Sequence, residues 1–368
     1  MSQHPQTIFD SVAFDDAQQA LARVQAIYNA GVAHLRQGLQ DFVNQADVPQ
    51  RELPRCRAFY PFVRLQNKSV AHAASANHRL SYGFVSGAGV FETTLTNPDL
   101  FAHYYQQQFE LLLQNHDITL TVGVSDTPIP VHFSLAENDH VEGQLNPPRR
   151  ARLPDVFDLP DLMGMDDAIA NGDHDVLPEG TKPLALFTAP RVDYSLHRLR
   201  HYTGTSPYSF QNFVLLTNYQ FYIDEFVALG KAMMQDPACA YIGFIEPGNV
   251  LTPRVNLSPD EQAFLEQVAH GQPGTPPARL PQMSAYHLVR ADRGGISLVN
   301  IGVGPSNAKT MTDHIAVLRP YAWIMLGHCA GLRNSQVLGD YVLAHGYVRE
   351  DHVLDEELPL WVPIPPLA

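Results

Sequence analysis

The sequence predicts a mixed fold, an α+β module followed by an α/β module, and three observations predict it. A long run with an apolar period near 3.6 residues opens the chain. Alternating, β-rich segments follow it, interrupted by one more helix. Beyond residue 183, short apolar strands alternate with amphipathic helices, the texture of βαβ units. The length, 368 residues, suits two domains of ~100–200 residues. The expected division is 1–182, its last part (137–182) an acidic connecting segment, and 183–368.

The first helix is expected from Ala13 to Val48. Leu21, Val24, Ile27, Tyr28, Leu35, Leu39 and Phe42 share a face, and Pro49 and Pro54 close it. Phe59–Leu65, Tyr82–Val85 and Val90–Thr96 read as strands, with Gly87-Ala88-Gly89 as a break. Pro98 starts a second helix, whose apolar face runs from Leu100 to Leu113, and Ile118–Val124 is a further strand. Residues 137–183 hold Asp155, Asp158, Asp161, Asp166, Asp167, Asp173 and Asp175 among Asn, Gly and Pro. That composition reads as a solvated connection with one short helix.

Pro190–Tyr202 then reads as helix, Phe213–Leu216 as strand, Tyr222–Met234 as helix and Tyr241–Ile245 as strand. Pro247–Pro281 is loop-rich, with a helical piece over Pro259–His270. Strands Ala285–Arg290 and Ile296–Ile301 flank the turn Asp292-Arg293-Gly294-Gly295. Pro305–Leu318 is a helix with proline at its first position. Tyr321–Leu326 is wholly apolar, as a strand covered on both faces would be, and Tyr341–Ala344 is the next strand.

Composition narrows the function. Acidic residues number 38 and basic ones 24, a net charge of −14. Nucleic-acid binding needs surplus Lys and Arg to neutralise phosphates, so no nucleic-acid partner is expected. A small anion in a local basic pocket remains compatible. Hydrophobic residues make up 45%, enough for real cores and against disorder. Cys56, Cys239 and Cys329 stand far apart, without metal-ligand or disulfide spacing, so no metal is expected. Neither a signal peptide at Met1–Pro5 nor an apolar run of ~18–20 residues is visible, so the expected place is the cytoplasm, with no membrane partner.

Four features can carry chemistry. Gly302-Val303-Gly304-Pro305-Ser306-Asn307-Ala308 follows a strand and opens a helix, as either a tight turn or an anion-binding loop. It lacks the third glycine of a dinucleotide fingerprint and the Gly-Lys-Ser/Thr of a P-loop. Gly327-His328-Cys329-Ala330-Gly331 ends an apolar strand, where ligands bind in open α/β sheets. Its bland reading is packing, with Cys329 a small hydrophobe. Arg191, His197, Arg198, Arg200 and His201 place five basic groups within eleven residues, just before Thr203 and Thr205. They suit a phosphate or a solvated helix face equally. Thr217-Asn218-Tyr219, ahead of Asp224 and Glu225, is another strand-to-helix edge. Those two carboxylates fit a helix first turn better than a catalytic pair, because neighbours one apart do not face each other.

At these residues the chain resembles the bacterial AMP nucleosidase family. The stretches are Arg191–Thr205, Thr217–Tyr219 with Tyr222 and Asp224-Glu225-Phe226, Leu298–Thr310, Gly327–Cys329, Gly339–His345 and Asp351–Asp355. The likeness covers essentially the whole chain, more loosely in the first 180 residues. It implies a regulatory N-terminal domain and a nucleoside-phosphorylase-like α/β domain, incomplete at its C-terminus. It implies hydrolysis of AMP to adenine and ribose 5-phosphate, by a hexameric homo-oligomer that needs no cofactor. MgATP would activate and phosphate would inhibit. Arg198, Arg200, His201 and Thr203 become candidates for the 5′-phosphate. Asn218, Tyr219, Gly302, Gly304, His328, Cys329 and Gly331 would border ribose and base.

Uridine phosphorylase-like relatives place an arginine for the attacking phosphate two residues before the glycine matching Gly327. Here that residue is Met325, which favours water as nucleophile over phosphorolysis. Glycosidic cleavage passes through an oxocarbenium-like state and needs an acid for the leaving base. In the family, a Met-Glu pair and an Asp supply these functions from a segment expected beyond residue 368, and Asp340 is read as structural. The expectations are therefore that this chain alone releases no adenine from AMP and that its sheet ends in an open edge. A binding module without chemistry, or a nucleoside phosphorylase, are the alternatives.

Overall fold

A computed structural model describes residues 9–44, 54–68, 83–85, 87–135, 145–173, 180–269, 274–343 and 352. The fold is mixed α/β with two sheets, as the sequence predicts. Two compact units divide at Tyr194/Ser195.

In the first unit, strand β1 (Val12–Phe14) precedes helix α1 (Ala17–Asn44). The helix thus starts four residues later than its periodicity suggests. The Asp16 side chain accepts from Gln19 N at 2.7 Å, which caps the free N–H end. Pro49 lies outside the described residues. Strands β2 (Phe59–Asn67), β3 (Gly89–Thr94) and β4 (Leu120–Pro128) and helix α2 (Pro98–Asn115) follow. With β5 (Thr181–Pro183) the sheet order is β1-β4-β2-β3-β5, antiparallel except for β3 with β5. Helix α1 buries Leu21, Val24, Ile27, Leu35 and Leu39. Each is worth about 1.5–3 kcal/mol on full burial.

Two expectations change here. Within the expected strand 82–85, residues 83–85 form no ladder and Tyr82 lies outside the described residues. Their polar groups go instead to the end of α2: Asn115 Nδ2 donates to Gly83 O at 2.8 Å, and Val85 N donates to His116 Nε2 at 3.0 Å. Segment 145–173, expected as a solvated connection, holds two short helices, α3 (Pro147–Ala151) and α4 (Leu153–Val156). Leu145, Leu153, Val156 and Phe157 pack with Leu35, Leu39, Phe42 and Tyr60 of the core. A composition-based reading weighs the aspartates and misses these few anchors.

Helix α5 (Ala189–Thr203) runs across the division. In its first part, Asp193 is buried in the first unit. It accepts from Tyr60 Oη at 2.6 Å, Thr96 Oγ1 at 2.8 Å and Asn97 Nδ2 at 2.7 Å. Burial pushes its carboxyl up to about 7, against the pull of those three donors.

The second unit contains β6 (Phe213–Thr217), α6 (Gln220–Met233), β7 (Gly243–Glu246), β8 (Val250–Pro253), α7 (Pro259–Val268), β9 (Ala285–Val289), β10 (Ile296–Asn300), α8 (Pro305–Ala316) and β11 (Ala322–Leu326). The sheet order is β11-β6-β10-β9-β7-β8, with β11, β6 and β10 mutually parallel. Strand β8 stands in the stretch expected as loop. It completes a hairpin with β7, on a turn where Asn249 takes a φ of 57°. Helices α5 and α8 cover one face through Leu199, Met311 and Ile315 against Val214, Leu216 and Val299. Helix α6 covers the other through Ile223 and Phe226 against Leu215, Tyr286 and Leu298.

Strand β11 is a correction. It ends the sheet order, and Trp323, Ile324 and Met325 are 43%, 54% and 50% exposed rather than covered on both faces. An apolar run tells what a strand tolerates, not where in the sheet it lies. Residues 341–343 are irregular, against the expected strand, and Ala344 lies outside the described residues. The turn before them is closed by Asp340, which accepts from Val337 N at 3.0 Å.

Candidate functional site

The parallel strands set the site. Asn300 and Leu326 pair in register on either side of Thr217. All three strands therefore end on one line, and the loops that follow emerge together at the carboxyl edge, where open α/β sheets bind ligands. This edge carries Asn218 and Tyr219 after β6, Gly302 and Gly304 after β10, and His328, Cys329 and Gly331 after β11. The basic end of α5 is tied to the same edge through backbone. Met283 N donates to Tyr202 O at 2.9 Å, and Asn300 N donates to Ser284 O at 2.9 Å.

The glycine loop is built by its conformation. Gly302 has φ 66° and Gly304 φ 103°, values that side-chain-bearing residues rarely adopt. Gly302 N donates to Asn300 Oδ1 at 2.9 Å, and Asn307 Nδ2 donates to Val303 O at 3.1 Å. Gly304 is the N-cap of α8 and Tyr219 that of α6, and neither end has a side-chain cap. Two sets of helix N–H donors thus face one edge, where they favour anions and electron-rich oxygens. The loops 218–222, 301–304 and 327–333 contain no Asp or Glu.

Beside them lies an aromatic cluster. The His328 ring stands 4.3 Å from that of Tyr219 and lies parallel to that of Phe221, within 4°, at 5.1 Å. Tyr222 Oη and His328 Nε2 are 3.0 Å apart. Cys329 and Gly331 are exposed in the same loop, and Gly331 lies against the Gln336 side chain.

The α5 candidates separate. Arg200 and His201 occupy the last turn, half-buried and exposed respectively. The Arg198 guanidinium lies over the Tyr202 ring, 4.4 Å from its centre, and donates to its hydroxyl. Tyr202 in turn stacks on His314 at 6.0 Å. Thr203 is buried, and its hydroxyl donates to Leu199 O at 2.7 Å. Arg191 belongs to the first unit, where it pairs with Asp167 at 2.7 Å.

Thr203 opens a buried polar chain that the sequence reading missed. Its hydroxyl lies 3.1 Å from that of Thr205, which is 2.9 Å from His287 Nε2, and His287 Nδ1 is 2.7 Å from Ser297 Oγ. Burial pushes His287 down to about 3, so the ring is neutral and serves the core. Phe221 and Tyr222 lie in the strand-to-helix stretch that the sequence singles out, but are not among its candidate binding residues. Their signal was the aromatic spacing Tyr219, Phe221, Tyr222 across a helix start. Among the described residues, no group of three His, Cys, Asp or Glu side chains could hold a metal ion. No described helix is long and apolar enough to cross a membrane.

Comparison with known proteins adds three findings. A family model described as "Bacterial AMP nucleoside phosphorylase N-terminus" matches residues 19–181. Proteins named AMP nucleosidase from Escherichia coli strain K12 and from E. coli O157:H7 are each 40% identical over 351 residues, 95% of this chain and 69% of theirs. A crystal structure of AMP nucleosidase from Bacteroides thetaiotaomicron VPI-5482 superposes with a TM-score of 0.31 at 23% identity. That match spans 47% of this chain and 55% of that one, too loose a superposition to bear on the site.

Proposed function

Because this chain belongs to the AMP nucleosidase family, we propose that it takes AMP as substrate at the carboxyl edge of β6, β10 and β11. The reaction is hydrolysis of the N-glycosidic bond to adenine and ribose 5-phosphate. The observation that carries this reading is the 40% identity over 95% of the chain to AMP nucleosidase. The edge supports it chemically. Helix N–H donors at Gly304 and Tyr219 suit phosphate or ribose oxygens, and Arg200 and His201 supply cationic donors for the 5′-phosphate. Asn218, His328, Cys329 and Gly331 line the ribose and base side. Arg198 and Thr203 act as supports of the α5 end, since the first is engaged with Tyr202 and the second with Leu199.

Water, rather than phosphate, is the nucleophile in this reading, because the resemblance to uridine phosphorylase-like relatives puts Met325 where an arginine would hold an attacking phosphate. Inorganic phosphate then binds the same donors as an inhibitor, and MgATP acts elsewhere as an activator of a hexamer. A second reading, AMP binding without turnover by this 368-residue chain, draws on one observation. Cleavage needs an acid at the leaving base, and the three loops carry no Asp or Glu.

Adenine release measured beside an AMP titration tests both. Hydrolysis predicts adenine release that saturates with AMP; saturable AMP binding with only a trace of adenine release would overturn it in favour of binding without turnover. Turnover matching that of the E. coli relatives would overturn the binding-only reading. Ribose 1,5-bisphosphate formed only when phosphate is present would overturn hydrolysis in favour of phosphorolysis.

A further inference from the structure

We infer that Tyr222 is a positioning residue: its hydroxyl fixes the proton of His328 on Nδ1, leaving that N–H as the donor for a substrate oxygen. The inference rests on the reading of this edge as the AMP site. Three contacts define the imidazole. Phe221 lies parallel to it, Tyr219 stands against it at 59°, and Tyr222 Oη is 3.0 Å from Nε2. The first two fix the plane of the ring and only the third distinguishes its two nitrogens.

Which nitrogen of a neutral imidazole is protonated follows from the hydrogen bond the other makes. A phenol O–H is a good donor, and an unprotonated imidazole nitrogen is a better acceptor than a phenol oxygen. Tyr222 therefore donates and Nε2 accepts, which puts the proton on Nδ1. A free imidazole prefers the opposite tautomer, so the arrangement is imposed by the fold. A donor at this place suits a phosphate or ribose oxygen, and the three loops around it carry no Asp or Glu. The backbone supports the pairing on the Tyr222 side. Tyr222 sits in the first turn of α6, its N–H donating to Tyr219 O at 3.2 Å.

A purely structural cluster would need the rings but not the hydroxyl. The test is therefore Tyr222→Phe, which keeps the ring. Imidazole ¹⁵N spectra of the full chain, labelled at histidine and assigned by the signal lost in His328→Gln, report the tautomer directly. The expected result is Nδ1–H in the unsubstituted chain, Nε2–H in Y222F, and Nδ1–H retained in Phe221→Leu. AMP affinity by calorimetry should fall about tenfold in Y222F at an unchanged melting temperature, the worth of one hydrogen bond to a charged or polar ligand group. Nε2–H in the unsubstituted chain, or a tautomer indifferent to Y222F, would overturn the inference. If the unsubstituted chain binds no AMP, the functional reading fails, and the tautomer comparison still decides the role of Tyr222.

Discussion

Asp193 and His287 show how one buried side chain sets a pH response. Asp193 has a folded value of about 7 against 3.8 for the ordinary group, so between those values the folded state binds more protons than the unfolded one. Its contribution is fully present below about pH 4 and is lost as pH rises through 7, an effect on the order of a few kcal/mol. Asp193→Asn keeps acceptors for Thr96 and Asn97 and removes the charge. Thermal melts from pH 5 to 8 should therefore be flatter for D193N than for the parent, and an identical slope would refute the assignment. His287 behaves oppositely. Its value of about 3, against 6.5, means stability present above pH 6.5 is lost as pH falls toward 3. Neither residue announces itself in a sequence, because burial is decided by the tertiary neighbours. The same holds for Thr203, which reads as a phosphate ligand beside Arg200 until the fold turns its hydroxyl back onto Leu199.

The glycine loop and the edge strand carry the predictions that belong to elements. A Cβ at Gly304 would meet nothing within 4 Å, yet its φ is 103°, so Gly304→Ala isolates conformational strain of about 1–3 kcal/mol. G304A should lower the melting temperature and weaken AMP binding. Gly164→Ala, equally free of contacts and without a positive φ, should do neither. A neutral G304A would mean that the loop conformation is not required. Strand β11 exposes Trp323, Ile324 and Met325 on the last strand of the sheet, the feature that natural sheets usually guard with charge. Light scattering should show concentration-dependent self-association, reduced by Ile324→Lys. A monodisperse parent chain at all concentrations would contradict this. Most elements were legible in the sequence, since the 3.6 period survives in α1, α2 and α8, and β9 and β10 are short apolar runs bounded by turn residues that the sheet buries almost throughout. Residues 83–85 and 341–343 were not, because β-rich composition does not reveal whether a neighbouring strand is there to pair. Leu153, Val156 and Phe157 were hidden by the aspartates around them.

At the scale of the whole molecule, the two units should respond to pH in opposite senses. Between pH 8 and 5 the first unit gains stability through Asp193 and the second loses it through His287. Scanning calorimetry should show transitions whose separation changes across that range, and transitions shifting in parallel would contradict the assignment. The net charge of −14 sits comfortably with a small anionic ligand, because Arg200, His201 and two helix N-termini concentrate the donors locally. Of the candidate site, the sequence placed the three loops correctly at strand ends, and only the parallel register of β6, β10 and β11 showed that they share one edge. The central claim is that this edge binds AMP. Titration calorimetry of the 368-residue chain with AMP tests it most directly, repeated with inorganic phosphate present. The account predicts saturable one-to-one binding that phosphate weakens. No detectable binding of AMP, or binding indifferent to both phosphate and G304A, would contradict it.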